Sequence, residues 1–161
     1  MILTGLLSEA QVLVDFAAKD KNEAIAKLVD VLVEQKKLSP EHRQAGLDAL
    51  LNREKIGSTG LEHGVALPHA IVDAPGDAMA VLAVSPGVAF HSADGQPARI
   101  LVCVLIPRTQ MQKHLRTLAG VAKLLSFEET REALLRAKSP REALSVVHEV
   151  ERQDGGAPAR G

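Results

Sequence analysis

The residue types that could do chemistry fall in one run: Arg53-Glu54-Lys55-Ile56-Gly57-Ser58-Thr59-Gly60, then Leu61-Glu62-His63-Gly64, then Val65-Ala66-Leu67-Pro68-His69. The run reads as a helix end, a loop of glycines and hydroxyls, a short apolar strand, and a histidine just past that strand. A loop such as Gly57-Ser58-Thr59-Gly60 can aim backbone N–H groups and two hydroxyls at one point, which is how backbone holds a phosphate. Glycine suits it because the chain there must take conformations that a Cβ forbids. Histidine can carry a phosphoryl group covalently near neutral pH. His69 is therefore expected to be a phosphoryl acceptor, with the loop steadying its load. A plainer reading stays open, in which His69 is a strand-end polar residue whose ring is simply satisfied.

The elements that must position these residues follow from periodicity and caps. Gln11 to Phe16 alternates as a first strand. Asp20 and Glu23 have capping-box spacing and open a helix that runs to about Lys37 through Ile25, Leu28, Val29 and Leu32. Ser39-Pro40 opens a second helix ending near Arg53 or Glu54. Three apolar segments follow: Gly64–Leu67, Met79–Val84 and Ile100–Ile106. The last is uninterrupted, as in a strand covered by helices on both faces, and Pro107 ends it. Val88-Ala89-Phe90 reads as a short strand and Ala93-Asp94-Gly95-Gln96 as a tight turn. Leu115, Leu118, Ala119, Ala122 and Leu125 form a helical stripe. Capping boxes at Ser126–Glu129 and Ser139–Glu142 open two more helices. The fold expected is α/β, a single domain over 1–152 with a central mixed sheet flanked by helices on both sides. Residues 153–161 are expected to be a disordered tail.

Composition narrows the function classes. There is no Trp or Tyr and only three Phe, so the core is aliphatic and stacking platforms for single-stranded nucleic acid are missing. A formal charge of −1 gives no basic footprint, so no nucleic-acid partner is expected. The single Cys103 excludes an internal disulfide. Met1 to Ala10 lacks a signal-peptide pattern, and no apolar run approaches membrane-spanning length. A soluble cytoplasmic protein without membrane insertion is the expectation.

The run Arg-Glu-Lys-Ile-Gly-Ser-Thr-Gly…Gly-Val-Ala-Leu-Pro-His, with the later Lys113-His114-Leu115…Leu118, resembles the signature of the fructose–mannitol class of EIIA domains in the phosphoenolpyruvate-dependent phosphotransferase system. The likeness spans roughly residues 5 to 150 and is nearest the nitrogen-regulatory branch. It implies that His69 receives phosphate from a small phosphocarrier protein, without metal or nucleotide cofactor. It implies that His114 lies beside the phosphorylated ring and helps hold the phosphate. It also places Arg53 close to the site. Partners implied are the phosphocarrier donor and, further on, an EIIB domain, a potassium transport protein or a sensor kinase. The chain ends after one domain with no permease segment, which favours a regulator docking according to its phosphorylation state. The alternatives are a sugar-transport EIIA passing phosphate to a fructose- or mannitol-type permease EIIB domain, and a regulatory module that transfers nothing.

Each candidate has a plainer role beside the chemical one. By helical phase, His114 sits on the shoulder of the leucine stripe, near a helix start that favours anions. Arg53 could merely complement a helix C-terminus, with Glu54 as its orienting partner; a guanidinium can also present paired donors to phosphate. Ser58 and Thr59 could be turn-formers, Thr59 being the better phosphate contact. Glu62 departs from the family pattern, which mostly has glycine there. A carboxylate close to a phosphohistidine is repulsive by about a few kcal/mol. Either Glu62 points away, or phosphate affinity is reduced. A metal site from His63, His69 and His114 matches no standard ligand spacing.

Overall fold

The computed structural model describes residues 2–156. Its elements run β1 (Val12–Leu13), α1 (Lys21–Glu34), α2 (Arg43–Ile56), β2 (Val65–Ala66), β3 (His69–Val72), β4 (Met79–Val88), β5 (Ala98–Pro107), α3 (Met111–Leu124), α4 (Glu128–Arg136) and α5 (Pro140–Gly156). Single 3-10 turns precede β1, α2 and α3.

The sheet is mixed. Its order is β1-β4-β5-β2, and β3 also lies along β5. Strands β1 and β4 are parallel, β4 and β5 antiparallel, and β2 and β3 both run parallel to β5. Successive residues of a strand face opposite sides, so β5 feeds two cores. Leu101, Cys103 and Leu105 join the cluster under α1 and α2. Ile100, Val102, Val104 and Ile106 join the cluster that takes Val121, Leu134 and Val147 from α3, α4 and α5. The expected single α/β domain with helices on both faces is the fold observed.

Several boundaries differ from the sequence expectations for local reasons. The first strand is only two residues long because Asp15 turns left-handed (φ 54) and the buried Gln11 amide donates to the carbonyls of Leu6 and Ala80. Asp20 does cap α1, accepting from the Glu23 amide at 2.8 Å, but the helix closes at Glu34 with Lys36 left-handed (φ 58). Ser39-Pro40 opens a 3-10 turn before α2, and α2 itself continues to Ile56. The expected strand at 88–90 is the end of β4, which reaches Val88 with a register irregularity after Val84. The tight turn is present, with the Gly95 amide donating to Ser92 O. Ser126 does not cap α4: Phe127 occupies that position, and the Ser126 hydroxyl turns back to Lys123 O at the end of α3. Ser139 does cap α5, accepting from the Glu142 amide at 3.1 Å. Helix α5 continues to Gly156, and residues 157–161 of the expected tail lie outside the described residues.

The N-terminal segment is tied to the last helix. The buried Glu151 carboxylate on α5 accepts from the amides of Ile2, Leu3 and Thr4 at 2.8, 2.8 and 2.7 Å.

Candidate functional site

His69 is the first residue of β3, not a residue beyond a strand end. The interruption before it is Pro68, which has no N–H to give to a ladder. Pairing with β5 therefore breaks between β2 and β3. The Pro68 carbonyl still accepts from the Val104 amide at 2.9 Å, while the half-buried His69 ring turns back so that Nδ1 meets Leu67 O at 2.7 Å. A carbonyl can only accept, so Nδ1 carries the proton and the neutral ring keeps its lone pair on Nε2.

Register fixes which way the ring points. His69 pairs with Val104, which pairs with Ala80, and both belong to the cluster under α3, α4 and α5. The next row, Ala70, Leu105 and Met79, belongs wholly to the opposite cluster. The His69 imidazole is thus on the face covered by α3–α5.

The hydroxyl loop is turned the other way. Glu54 extends the buried stripe of α2 after Gly46 and Leu50. Its carboxylate accepts from both the amide and the hydroxyl of Thr59, and pairs with Lys21 Nζ at 3.2 Å. Lys21 also lies over the Phe90 ring, 5.5 Å from its centre, a cation–π contact. Glu54 is therefore the partner of Lys21 and Thr59, not of Arg53. Thr59, expected at the phosphate, is 4% exposed with its hydroxyl donated inward. Ser58 donates its hydroxyl to Phe90 O and accepts from the Gly60 amide. Gly60 is needed for close approach, since a Cβ there would lie 2.0 Å from Ser92 Oγ. Burial together with the nearby Glu54 charge pushes the Cys103 thiol up to about 12, as expected of a carboxylate beneath the α1–α2 face of the sheet. The amides of Thr59, Gly60 and Leu61 are all donated within the protein, the last to Val65 O at 2.7 Å.

The loop nonetheless reaches His69 through backbone. Thr59 O accepts from the Leu67 amide at 3.0 Å, and Leu67 O accepts from His69. An unbroken hydrogen-bond chain thus runs Glu54, Thr59, Leu67, His69. Sequence reasoning missed the Leu67 carbonyl; its one sequence signal is the proline that follows. Arg53 donates from Nη1 to Gly57 O at 2.8 Å, holding the C-terminal end of α2.

His114 lies inside, not on a shoulder. It is 4% exposed and shares the buried face of α3 with Thr117, Val121 and Leu124, while Leu115 is 56% exposed. Burial of the ring costs little because both nitrogens are satisfied. Nδ1 meets Thr117 Oγ1 at 3.0 Å and Nε2 meets Asp77 Oδ1 at 2.8 Å. Asp77 also takes Lys113 Nζ at 3.2 Å and the Ala78 amide at 2.8 Å. The His114 hydrogen bond above all, then the Ala78 amide and Lys113, hold the Asp77 carboxyl down at about 2. His69 and His114 therefore serve the same face of the sheet. Asp77 was not singled out from sequence.

Glu62 and His63 are at the other end of the β2–β3 edge. They form an exposed pair 3.7 Å apart, and the His63 amide is held by Asp94. Gly64 O accepts from Arg99 and Ile100, whereas His69 is level with Val104. Four rows of a parallel ladder span about 13 Å, beyond the Debye length of about 8 Å at physiological salt. Glu62 is thus separated from His69 along the ladder, and the three histidines considered for a metal form no metal-binding group among the described residues. Among the described residues no group of three or more His, Cys, Asp or Glu is placed to hold a metal, and no helix is long and apolar enough to cross a membrane.

The fructose-specific EIIA component of Haloferax volcanii is 36% identical over 131 residues, covering 81% of this chain and 84% of that protein. The nitrogen regulatory protein of Escherichia coli is 31% identical over 137 residues, covering 83% and 81%. The fructose-specific EIIABC component of Bacillus subtilis is 33% identical over 92% of this chain, which spans only 23% of that longer protein. Among solved structures, the nitrogen regulatory protein IIA-Ntr of Neisseria meningitidis superposes with a TM-score of 0.82 at 26% identity, covering 91% of this chain and 99% of that one. The Escherichia coli mannitol enzyme IIA, solved in complex with phosphorylated enzyme IIB, gives 0.73 at 25% identity, covering 89% and 97%. The family model for EIIA 2 of the phosphoenolpyruvate-dependent sugar phosphotransferase system matches residues 5–150, and the chain belongs to that family.

Proposed function

We propose that this protein is a cytoplasmic phosphohistidine carrier, accepting a phosphoryl group on His69 Nε2 from a phosphohistidine of a small phosphocarrier protein. The observation that carries the reading is the Nδ1 contact to Leu67 O, which leaves Nε2 as the nucleophilic nitrogen on a half-buried ring held by a strand. The Nε2 lone pair attacks phosphorus in line. The donor's P–N bond breaks and its electron pair returns to the donor imidazole. The Nδ1 proton stays on His69, where the Leu67 carbonyl faces the positive charge the ring acquires. Such a transition state is loose, so positioning and charge neutralisation supply most of the catalysis. His114 is the hydrogen-bond donor to the phosphate on the same face. Arg53 is the second, since a guanidinium has donors to present beyond the one given to Gly57. The 57–60 loop serves as the support that fixes Leu67, and through it His69.

The role proposed for the phosphate is regulatory: phosphorylation adds a dianion that switches docking to partners such as potassium transport proteins or sensor kinases. Likeness in shape to nitrogen regulatory proteins favours it. Sequence likeness to fructose-specific components favours the second reading, in which the phosphate passes to a fructose- or mannitol-type EIIB domain.

Incubation with phosphoenolpyruvate, the first enzyme of the system and the phosphocarrier tests both. Acid-labile label is expected on the wild type and not on His69→Ala; label surviving that substitution would refute the assignment. Rapid movement of the label to an added EIIB domain would favour the sugar-transport reading, and its retention the regulatory one.

A further inference from the structure

As a neutral imidazole, His114 has one N–H to offer, and its direction is then set from both sides. Asp77 faces Nε2 and, as an ionised carboxylate, can only accept; the Thr117 hydroxyl faces Nδ1 and can donate to it. The N–H is therefore on Nε2 and is donated to Asp77. The ring is buried, but the Asp77 side chain is 56% exposed and can return to water cheaply. Its loop is continuous with the nucleophile's own strand, since β3 starts at His69 and passes directly into Asp73. Both ends of the loop are clipped to the segment carrying His114, Asp73 to Arg108 at 2.8 Å and Asp77 to Lys113 at 3.2 Å. Between them Gly76 has φ 103, which side-chain-bearing residues rarely adopt, so the turn is built on that residue.

We propose that Asp77 competes with the phosphoryl group on His69 for the single Nε2–H of His114, holding it in the unphosphorylated protein and releasing it when phosphate arrives. Asp77 is a positioning residue, acting through His114, and it lowers the share of phosphate that the protein retains against its donor. This inference rests on the reading of His69 as acceptor and His114 as phosphate partner.

The test uses the full chain, with Asp77→Ala and with Asp77→Asn, which removes the charge but keeps an oxygen for the Ala78 amide. Each is made alone and with His114→Ala. The first readout is the equilibrium partition of label between phosphocarrier and protein. Removing an exposed competitor of a charged hydrogen bond should raise that ratio roughly three- to tenfold in Asp77→Ala, less in Asp77→Asn, and not at all once His114 is gone. The second readout is the 1H–15N signal of His114 Nε2–H, which should move on phosphorylation of the wild type. An unchanged or lower ratio in both Asp77 variants, the same rise without His114, or a stationary Nε2–H signal overturns the inference while leaving His69 as acceptor. No label on the wild type overturns the acceptor reading and this inference together.

Discussion

His69 donates from Nδ1 to the carbonyl of Leu67, two residues earlier, at 2.7 Å. That contact fixes the tautomer before any substrate arrives. It predicts that the phosphorylated protein carries its phosphate on Nε2, which 15N and 31P NMR distinguish from the Nδ1 isomer. Phosphate on Nδ1 would mean that the ring turns over before reacting.

The Glu54–Thr59 pair is buried, and the Lys21 ammonium beside it is mostly so. Thr59→Val keeps the shape and removes the hydroxyl, leaving the carboxylate one donor short. A loss of about 1–3 kcal/mol is expected by denaturant titration. Glu54→Ala strands two Thr59 donors and Lys21, and should cost about 3–5 kcal/mol. Additive losses in the double variant would show that the two residues do not act as a unit.

Ser139 and Ser126 occupy similar sequence contexts but differ in structure. Ser139→Ala removes a formed cap and should cost about 0.5–2 kcal/mol. Ser126→Ala should cost no more than about 0.5 kcal/mol, as for a typical surface change. Equal losses in thermal unfolding would contradict the assignment of Phe127 as the residue opening α4.

The His114 hydrogen bond, then the Ala78 amide and Lys113, hold the Asp77 carboxyl down at about 2, below the 3.8 of an ordinary Asp. A carboxyl with a depressed folded value stabilises the protein above its unfolded value and loses that contribution as pH falls through the folded one. The Tm difference between wild type and Asp77→Asn should therefore be steady above about pH 4 and fade between about 4 and 2. A difference that persists at the acid end would show that the charge is not what matters.

Glu62→Gly restores the residue common in the family at that position. With about 13 Å of ladder and open solvent between Glu62 and His69, the phosphate partition should change less than about twofold. A several-fold rise would show that the carboxylate is felt at the site after all.

How legible the sequence was depends on what each signal encodes. The uninterrupted Ile100–Ile106 run announced a strand buried on both sides, because only two covering layers make that composition cheap. Asp20 announced α1 through a bond made within four residues. The phase of α3 was harder to read. Leu115, Leu118, Ala122 and Leu125 run one residue out of step with His114, Thr117, Val121 and Leu124, and both series have helical spacing. The choice between them lay in Asp77, 37 positions before His114, which makes burial of a histidine affordable. Ser58 and Thr59 were read as a hydroxyl-bearing loop aimed at a phosphate. Which face of the sheet those hydroxyls point toward was decided by Glu54, whose inward position on α2 shows only once the helix is docked. The strand starting at His69 was hidden by its shortness and by Pro68.

The grip of Glu151 on the amides of Ile2, Leu3 and Thr4 makes the opening residues and α5 a single seam. Withdrawing that carboxylate exposes three donors at once, so the two ends of the fold should come apart in one step rather than fray separately. Hydrogen exchange at Leu3 and at the middle of α5 should then report the same opening event.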